Sequence, residues 1–148
     1  MHHETKDKDT LLKYWKDEHE APLWFREDME DKNLTEDVFL GFCEQCWKIF
    51  EIDGHALLYV EKIGENANIH FSLLRGTPVP MGDLQELKEY LLSECKMVFG
   101  WITKHNRGLM KVCEQLGLKD YGIRMYHGEN RGKVTEWRCY SVNNSHIA

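Results

Sequence analysis

The stretch from Trp47 to Ile63 constrains this chain more than any other. WKIFEID alternates apolar and polar residues, Asp53-Gly54 is a type I′ turn signal, and HALLYVEKI continues as a strand. Alternation at period two sends successive side chains to opposite faces of a sheet, so 47–53 and 55–63 are expected to pair as a hairpin with a two-residue loop. A hairpin in mid-chain requires more strands beside it and a second layer to bury one of its faces. With 148 residues, 42% of them hydrophobic and 11% aromatic, the chain has enough apolar material for one closed core.

The flanking segments supply both. Leu11, Leu12 and Trp15 predict a first helix capped by Asp9 or Thr10, and Pro22 opens a second short helix that carries Leu23 and Trp24. A third helix is expected from Thr35 to about Cys43, with Val38, Phe39 and Phe42 on one face. After the hairpin, ANIHFSLL (67–74) reads as a strand, and the Gly and Pro of RGTPVPMG (75–82) exclude regular structure. Leu84, Leu87, Leu91 and Leu92 then recur at helical spacing from Asp83 to Cys95. MVFGWIT (97–103) is an apolar strand, and RGLMKVCEQLG (107–117) a helix with Leu109, Val112, Cys113 and Leu116 inward and Gly117 as its stop. Two last strands, 121–128 and 133–142, flank a turn at Glu129–Gly132.

From residue 47 the order is therefore β-β-β-α-β-α-β-β. A strand, crossover helix and strand in its middle imply one parallel pair, 67–74 with 97–103, inside an otherwise antiparallel α/β mixed sheet. Residues 1–46 read as an acidic helical segment, without a first strand, packed on the same single domain as a core from 47 to 148.

Charge and cysteine content narrow the function classes. Residues 1–37 hold 12 Asp/Glu against 6 Lys/Arg, while residues 38–148 hold 13 of each. A uniformly basic nucleic-acid footprint is absent. Arg124, Arg131, Lys133 and Arg138 with Tyr126, Trp137 and Tyr140 make a basic, aromatic hairpin, but alternating strands produce such a mixture without any ligand. Five cysteines and no apolar leader point to reduced thiols and a cytoplasmic protein with no membrane segment. Cys43-x-x-Cys46 lacks the second tight pair that a zinc site needs, and His2-His3 reads as a floppy end, so no metal is expected.

The order of elements, with the string MVFGWITKHNRGLMKVCEQLGLKDYGIRMY, resembles the GCN5-related N-acetyltransferase (GNAT) superfamily over roughly residues 47–142. Asn106, the helix to Gln115 and Leu116-Gly117-Leu118 occupy the places of the family's Asn-led helix and its Gly stop. The resemblance implies a GNAT-like fold and acetyl transfer from acetyl-CoA to an amine of a small molecule or protein. It also implies a cosubstrate site along Phe71 and Leu73, at Arg75, Gly76 and Gly82 for the pyrophosphate, and at Asn106 and Arg107. The usual Q/R-x-x-G-x-G/A is eroded: Pro78 and Pro80 remove two donors, Asp83 adds a negative charge, and Arg75, Lys104 and Arg107 are the compensating cations.

For proton transfer, His70 on the central strand suits a base, with Glu61 and Ser72 as weaker additions. Cys113 stands where the family often has its acidic Tyr, and Tyr121 and Tyr126 are substitutes. The plainer readings are a hydrogen-bonded strand histidine and a core cysteine. Alternation puts Ile69, Phe71 and Leu73 on the core side of their strand, with His70, Ser72 and Leu74 opposite. The eroded loop also resembles divergent GNAT-like proteins that bacteriophages encode. That second likeness implies a catalytically inactive interaction protein, in a virion or the cytoplasm, with Trp15, Trp24 and Phe25 as exposed anchors for a partner.

Overall fold

The computed structural model describes residues 1–17, 35–130 and 133–144. The described strands are β1 (His2–Glu4), β2 (Lys48–Ile52), β3 (Ala56–Ile63), β4 (Asn66–Leu73), β5 (Met97–Thr103), β6 (Lys119–Asn130) and β7 (Lys133–Asn143). The helices are α1 (Lys8–Asp17), α2 (Glu36–Gln45), α3 (Met81–Glu94) and α4 (Arg107–Gln115). The strands form one mixed sheet in the order β1-β2-β3-β4-β5-β7-β6. As the crossover predicts, β4 and β5 are parallel, with Asn66 to Asn68 registered on Met97 to Phe99. The expected helix at Pro22, with Trp24 and Phe25, lies outside the described residues. No described helix is long and apolar enough to cross a membrane.

The chain divides into two compact units, Met1–Glu61 with His70–Pro80, and Lys62–Ile69 with Met81–Ala148. In the first unit, His2–Glu4 is a strand rather than a floppy end, antiparallel to β2 from Phe50 to Ile52. His-His-Glu carries no apolar alternation, so the strand rests on its backbone ladder and on polar and ring contacts such as Lys48–Glu4 and His2–Phe50, and composition conceals it. The cap of α1 is Asp7, not Asp9 or Thr10: its carboxylate accepts from the Thr10 amide at 3.0 Å. Thr35 caps α2 as expected, accepting from the Val38 amide at 3.2 Å, but Val38 itself is exposed and only Phe39 and Cys43 are fully buried.

The β2–β3 hairpin differs from its expected register by one residue. Asp53 and Gly54 both take positive φ, 53° and 73°, as a type I′ turn requires. Yet Ile52 pairs with Ala56, so His55 joins the loop and makes it three residues long. His55 donates its amide to the Ile52 carbonyl at 3.0 Å, and its own carbonyl accepts the Leu74 amide at 2.9 Å. That second bond takes His55 out of the ladder and fastens the hairpin turn to the end of β4. Because a one-residue slip exchanges the two faces, this register decides that Ile49, Glu51, Leu57 and Tyr59 share one side.

That side receives α1 and α2 through Leu11, Tyr14, Trp15, Phe39, Cys43 and Cys46. Trp15 is core, with its ring 5.2 Å from Phe39, and is not an exposed anchor. Glu51, only 7% exposed, is the one buried carboxylate among the described residues. It is held by the Tyr14 hydroxyl at 2.9 Å and the Lys13 ammonium at 3.0 Å. Burial, and then the bond to Glu51, raises the Tyr14 pKa far above the ordinary phenol range, so the hydroxyl stays a donor.

In the second unit, α3 buries Leu84, Leu87, Leu91 and Leu92 as their spacing predicts. It starts at Met81, two residues before Asp83, so Gly82 lies in its first turn rather than in a loop. Pro80 stands just ahead of that turn, where its missing N–H breaks no helical bond. Asn106 caps α4 by accepting from the Leu109 amide at 3.2 Å, and Gly117 ends the helix at φ 87°. Met110, Cys113 and Leu116 are buried, whereas Leu109 and Val112 are half-buried.

β5 is registered on β7 through seven consecutive pairs, Met97–Asn143 to Thr103–Trp137. β6 is less regular. Between the pairs Asp120–Tyr140 and Arg124–Arg138, the residues Tyr121, Gly122 and Ile123 bulge opposite the single residue Cys139. The Arg124 guanidinium closes the bulge on the Asp120 carboxylate with two bonds, 2.9 and 3.0 Å, and holds that carboxyl below its usual pKa. Tyr121 and Ile123 are left exposed.

Candidate active site

In the first unit β3 and β4 set a row of polar side chains against an aromatic wall. Glu61 lies near the end of β3 and His70 on β4, and the His70 Nε2 is 2.6 Å from the Glu61 Oε1. Their side chains are 34% and 17% exposed, so the couple is sheltered but open to water. Two residues further along β4, the buried Ser72 hydroxyl is 3.0 Å from the Tyr59 hydroxyl. The Phe42 ring of α2 meets His70 edge-on at 5.6 Å and Tyr59 at 6.1 Å, and Phe39 meets Tyr59 at 6.2 Å.

The expected core side of β4 is covered no more than the other: both faces are partly buried. Ile69, Phe71 and Leu73 are only half-buried, while Ser72 is 1% exposed and Leu74 packs against the core under α1 and α2. Strand alternation fixed which residues travel together but not which set the helices would cover. Phe42 and Tyr59, which shape the surroundings of His70, were missed as site residues. Both have the helical and alternating positions of core residues, and only the three-dimensional neighbourhood separates them from the rest.

A carboxylate bonded to an imidazole does two things at once. It fixes the ring's orientation and tautomer, and it stabilises the imidazolium formed when the ring accepts a proton. The structure thus brings Glu61 and His70 together, with Ser72 on a neighbouring hydrogen bond.

The other expected residues stand as follows. Arg75 and Gly76 are exposed on a turn in which Gly76 takes φ 73° and the Arg75 amide donates to Asp17 at 2.9 Å. In the second unit Gly82 is in the first turn of α3, with open space where a side chain would stand. Asn106 is engaged as a cap, and Arg107 opens α4 as an exposed cation with no acidic residue in that turn. Cys113 is buried, and burial, with a smaller contribution from Glu114, pushes its thiol up to about 12. Tyr121 lies exposed on the β6 bulge.

The basic hairpin is largely neutralised among its described side chains. Arg124 is bonded to Asp120, Arg138 donates to Glu136 at 3.0 Å, and Trp137 and Tyr140 are buried. Arg131 lies outside the described residues. Cys43 and Cys46 are both buried free thiols.

No protein-family profile matches this chain, and no curated protein matches it in sequence. Solved structures do. An N-acetyltransferase from Staphylococcus aureus superposes with a TM-score of 0.75 at 14% identity, over 97% of each chain. A ribosomal-protein-S5-alanine acetyltransferase from Vibrio fischeri gives 0.71 at 14% identity, over 97% of this chain and 92% of that one. A single-residue mutant of a spermidine N-acetyltransferase from Vibrio cholerae gives 0.72 at 10% identity, over 98% and 95%. The fold is that of the N-acetyltransferases. It extends over nearly the whole chain, the first strand β1 included.

Proposed function

We propose that this protein moves an acetyl group from acetyl-CoA to an amine, with His70, oriented by Glu61, taking the proton that the amine must lose. The observation that carries the reading is the 2.6 Å His70–Glu61 couple, partly open to water, in a fold shared with N-acetyltransferases over 97% of the chain. An amine is nucleophilic only when unprotonated, and a sheltered imidazole backed by a carboxylate is suited to accept its proton directly or through one water. As the amine nitrogen bonds to the acetyl carbon, the thioester C–S bond breaks and the thiolate needs a proton. A thiol at about 12, as at Cys113, is a weaker acid than an ordinary thiol at about 8.5, so Cys113 is a poor donor to the leaving group, and the thiolate takes its proton from solvent after release.

The residues present fit the phosphates of acetyl-CoA with one dissenting group. The first-turn amides of α3 have no partner within the helix, and Gly82 leaves room for close approach to them. Arg107, in the same unit, supplies exposed positive charge. Asp83, in the first turn of α3, opposes an anion there. When bound, acetyl-CoA supplies the activated acyl group, and the chain orients it and handles the protons.

Calorimetric titration with acetyl-CoA tests the reading. Saturable heat and a rise in melting temperature set by the affinity are expected, followed by thiol release with polyamine or peptide amine acceptors. No heat and no thermal shift at millimolar acetyl-CoA would overturn it in favour of a GNAT-shaped interaction protein.

A further inference from the structure

The two cysteines nearest the candidate site are arranged for chemistry that acetyl transfer does not use. Cys43 lies in the last turn of α2 and Cys46 follows as its cap, with the Cys46 amide donating to the Phe42 carbonyl at 3.2 Å and the Cys43 carbonyl at 3.3 Å. Those bonds keep Cys46 on the helical path. Three residues along a helix span roughly 5 Å between Cα atoms, inside the window of about 4.4–6.8 Å that a disulfide accepts. Both thiols belong to the same buried cluster, so they share one helix face.

That face is not sealed. A cavity of about 150 Å³, several times the roughly 30 Å³ of one water, is lined by Lys6, Lys8, Leu11, Leu40, Cys43 and Glu44. Only Cys43 of the pair lines it. The Lys6 ammonium donates to the carbonyls of Glu44 and Cys46, which holds its charge where it acts on both thiols. Its charge favours their thiolates, against the burial that dominates and holds both thiols protonated, Cys46 up to about 12 with a smaller push from Glu61.

We propose that Cys43 and Cys46 are a reversible dithiol–disulfide pair, with Cys43 the thiol oxidised through the cavity and Cys46 the one that resolves it. The oxidant is a hydroperoxide. Cys43 sulfur attacks one peroxide oxygen and the O–O bond breaks, giving a sulfenic acid and water (or an alcohol). Cys46 sulfur then attacks the Cys43 sulfur, the S–S bond forms, and the sulfenic oxygen leaves as water with the Cys46 proton. Two thiols lose two electrons and two protons, and the peroxide gains both. Because burial keeps the thiols protonated, the first step runs more slowly than at an exposed cysteine.

Trypsin places both residues on one peptide, 33–48, which contains no other cysteine. The folded protein is exposed to hydrogen peroxide, denatured, alkylated and digested. The peptide should be lighter by two hydrogens and unlabelled, should take two labels after reduction by dithiothreitol, and should change while the peptides carrying Cys95, Cys113 and Cys139 remain alkylated. In Cys46→Ser, dimedone should trap one adduct on Cys43. The proposal is overturned if peptide 33–48 keeps two labels while the other cysteines oxidise, or if its product is a sulfinic acid that dithiothreitol leaves unchanged. The wild-type measurement does not depend on the variant folding, nor on whether the protein transfers acetyl groups.

Discussion

The parallel strands β4 and β5 are built to opposite plans. β5 carries no polar side chain before Thr103 and is fixed along its whole length by seven pairs with β7. β4 carries His70 and Ser72, each held by a side chain of β3. One strand is scaffold and the other bears the candidate groups. The difference shows how a sheet accommodates polar residues near its centre: each is given a hydrogen-bond partner on the adjacent strand, so the cost of burial is met locally.

Replacement of the imidazole tests the comparison most severely. His70→Ala should reduce acetyl transfer by roughly 10²- to 10⁴-fold, the usual worth of a general base, with the melting temperature close to that of the parent. Full activity in the variant would return His70 to the scaffold and erase the contrast with β5. Glu61→Gln separates positioning from proton acceptance, because it keeps a hydrogen-bonding partner at the ring while removing the charge; a shifted pH–rate profile is the outcome that a merely structural Glu61 would not give.

A smaller effect is expected on β5. A Cβ added at Gly100 would stand 3.3 Å from the Ile69 carbonyl oxygen, tighter than ordinary contact. Gly100→Ala should therefore cost about 1–3 kcal/mol, read from urea denaturation midpoints. Gly108→Ala, in a helix with nothing within 4 Å, should instead stabilise by about 0.5–1 kcal/mol. Equal midpoints for the two variants would show that β5 yields as readily as an open helix surface.

A loss at the low end of the Gly100 range belongs to the second bond on β4. Tyr59→Phe removes the hydroxyl facing Ser72 and nothing else, at an expected cost of about 1 kcal/mol by the same denaturation measurement. A loss of several kcal/mol would mean that Tyr59 and Ser72 support the strand as a unit, and that β4 is as much scaffold as β5.

The strands and helices with strong internal periodicity were legible before any coordinates. The leucines of α3, the apolar run of β5 and the β4-α3-β5 crossover each follow from spacing and element order alone. Three features were not. β1 has no apolar pattern and exists through its ladder with β2. The register of β2 and β3 depends on His55, whose carbonyl is claimed by Leu74, nineteen positions away in sequence and so invisible to any local turn rule. The cover over His70 and Ser72 was not legible because alternation is symmetric, and only the packing of α2 and β3 puts Phe42 and Tyr59 against them. Glu61 and His70 were legible as candidates by residue type, but their bond was not, since it needs the fold of the β3–β4 hairpin.

The clamp of Arg124 on Asp120 has a consequence for the behaviour of the protein in crowded solution. β6 closes one side of the sheet and is twelve residues long, enough for its outward amides and carbonyls to template a strand from another molecule. The bulge at Tyr121–Ile123 breaks that row, and the guanidinium keeps it broken by fastening one end of the kink to the other. A passing chain then finds no long, flat stretch on which to add. The arginine in this sense works against sheet extension, because Tyr121 and Ile123 stand exposed where the edge strand offers no continuous ladder.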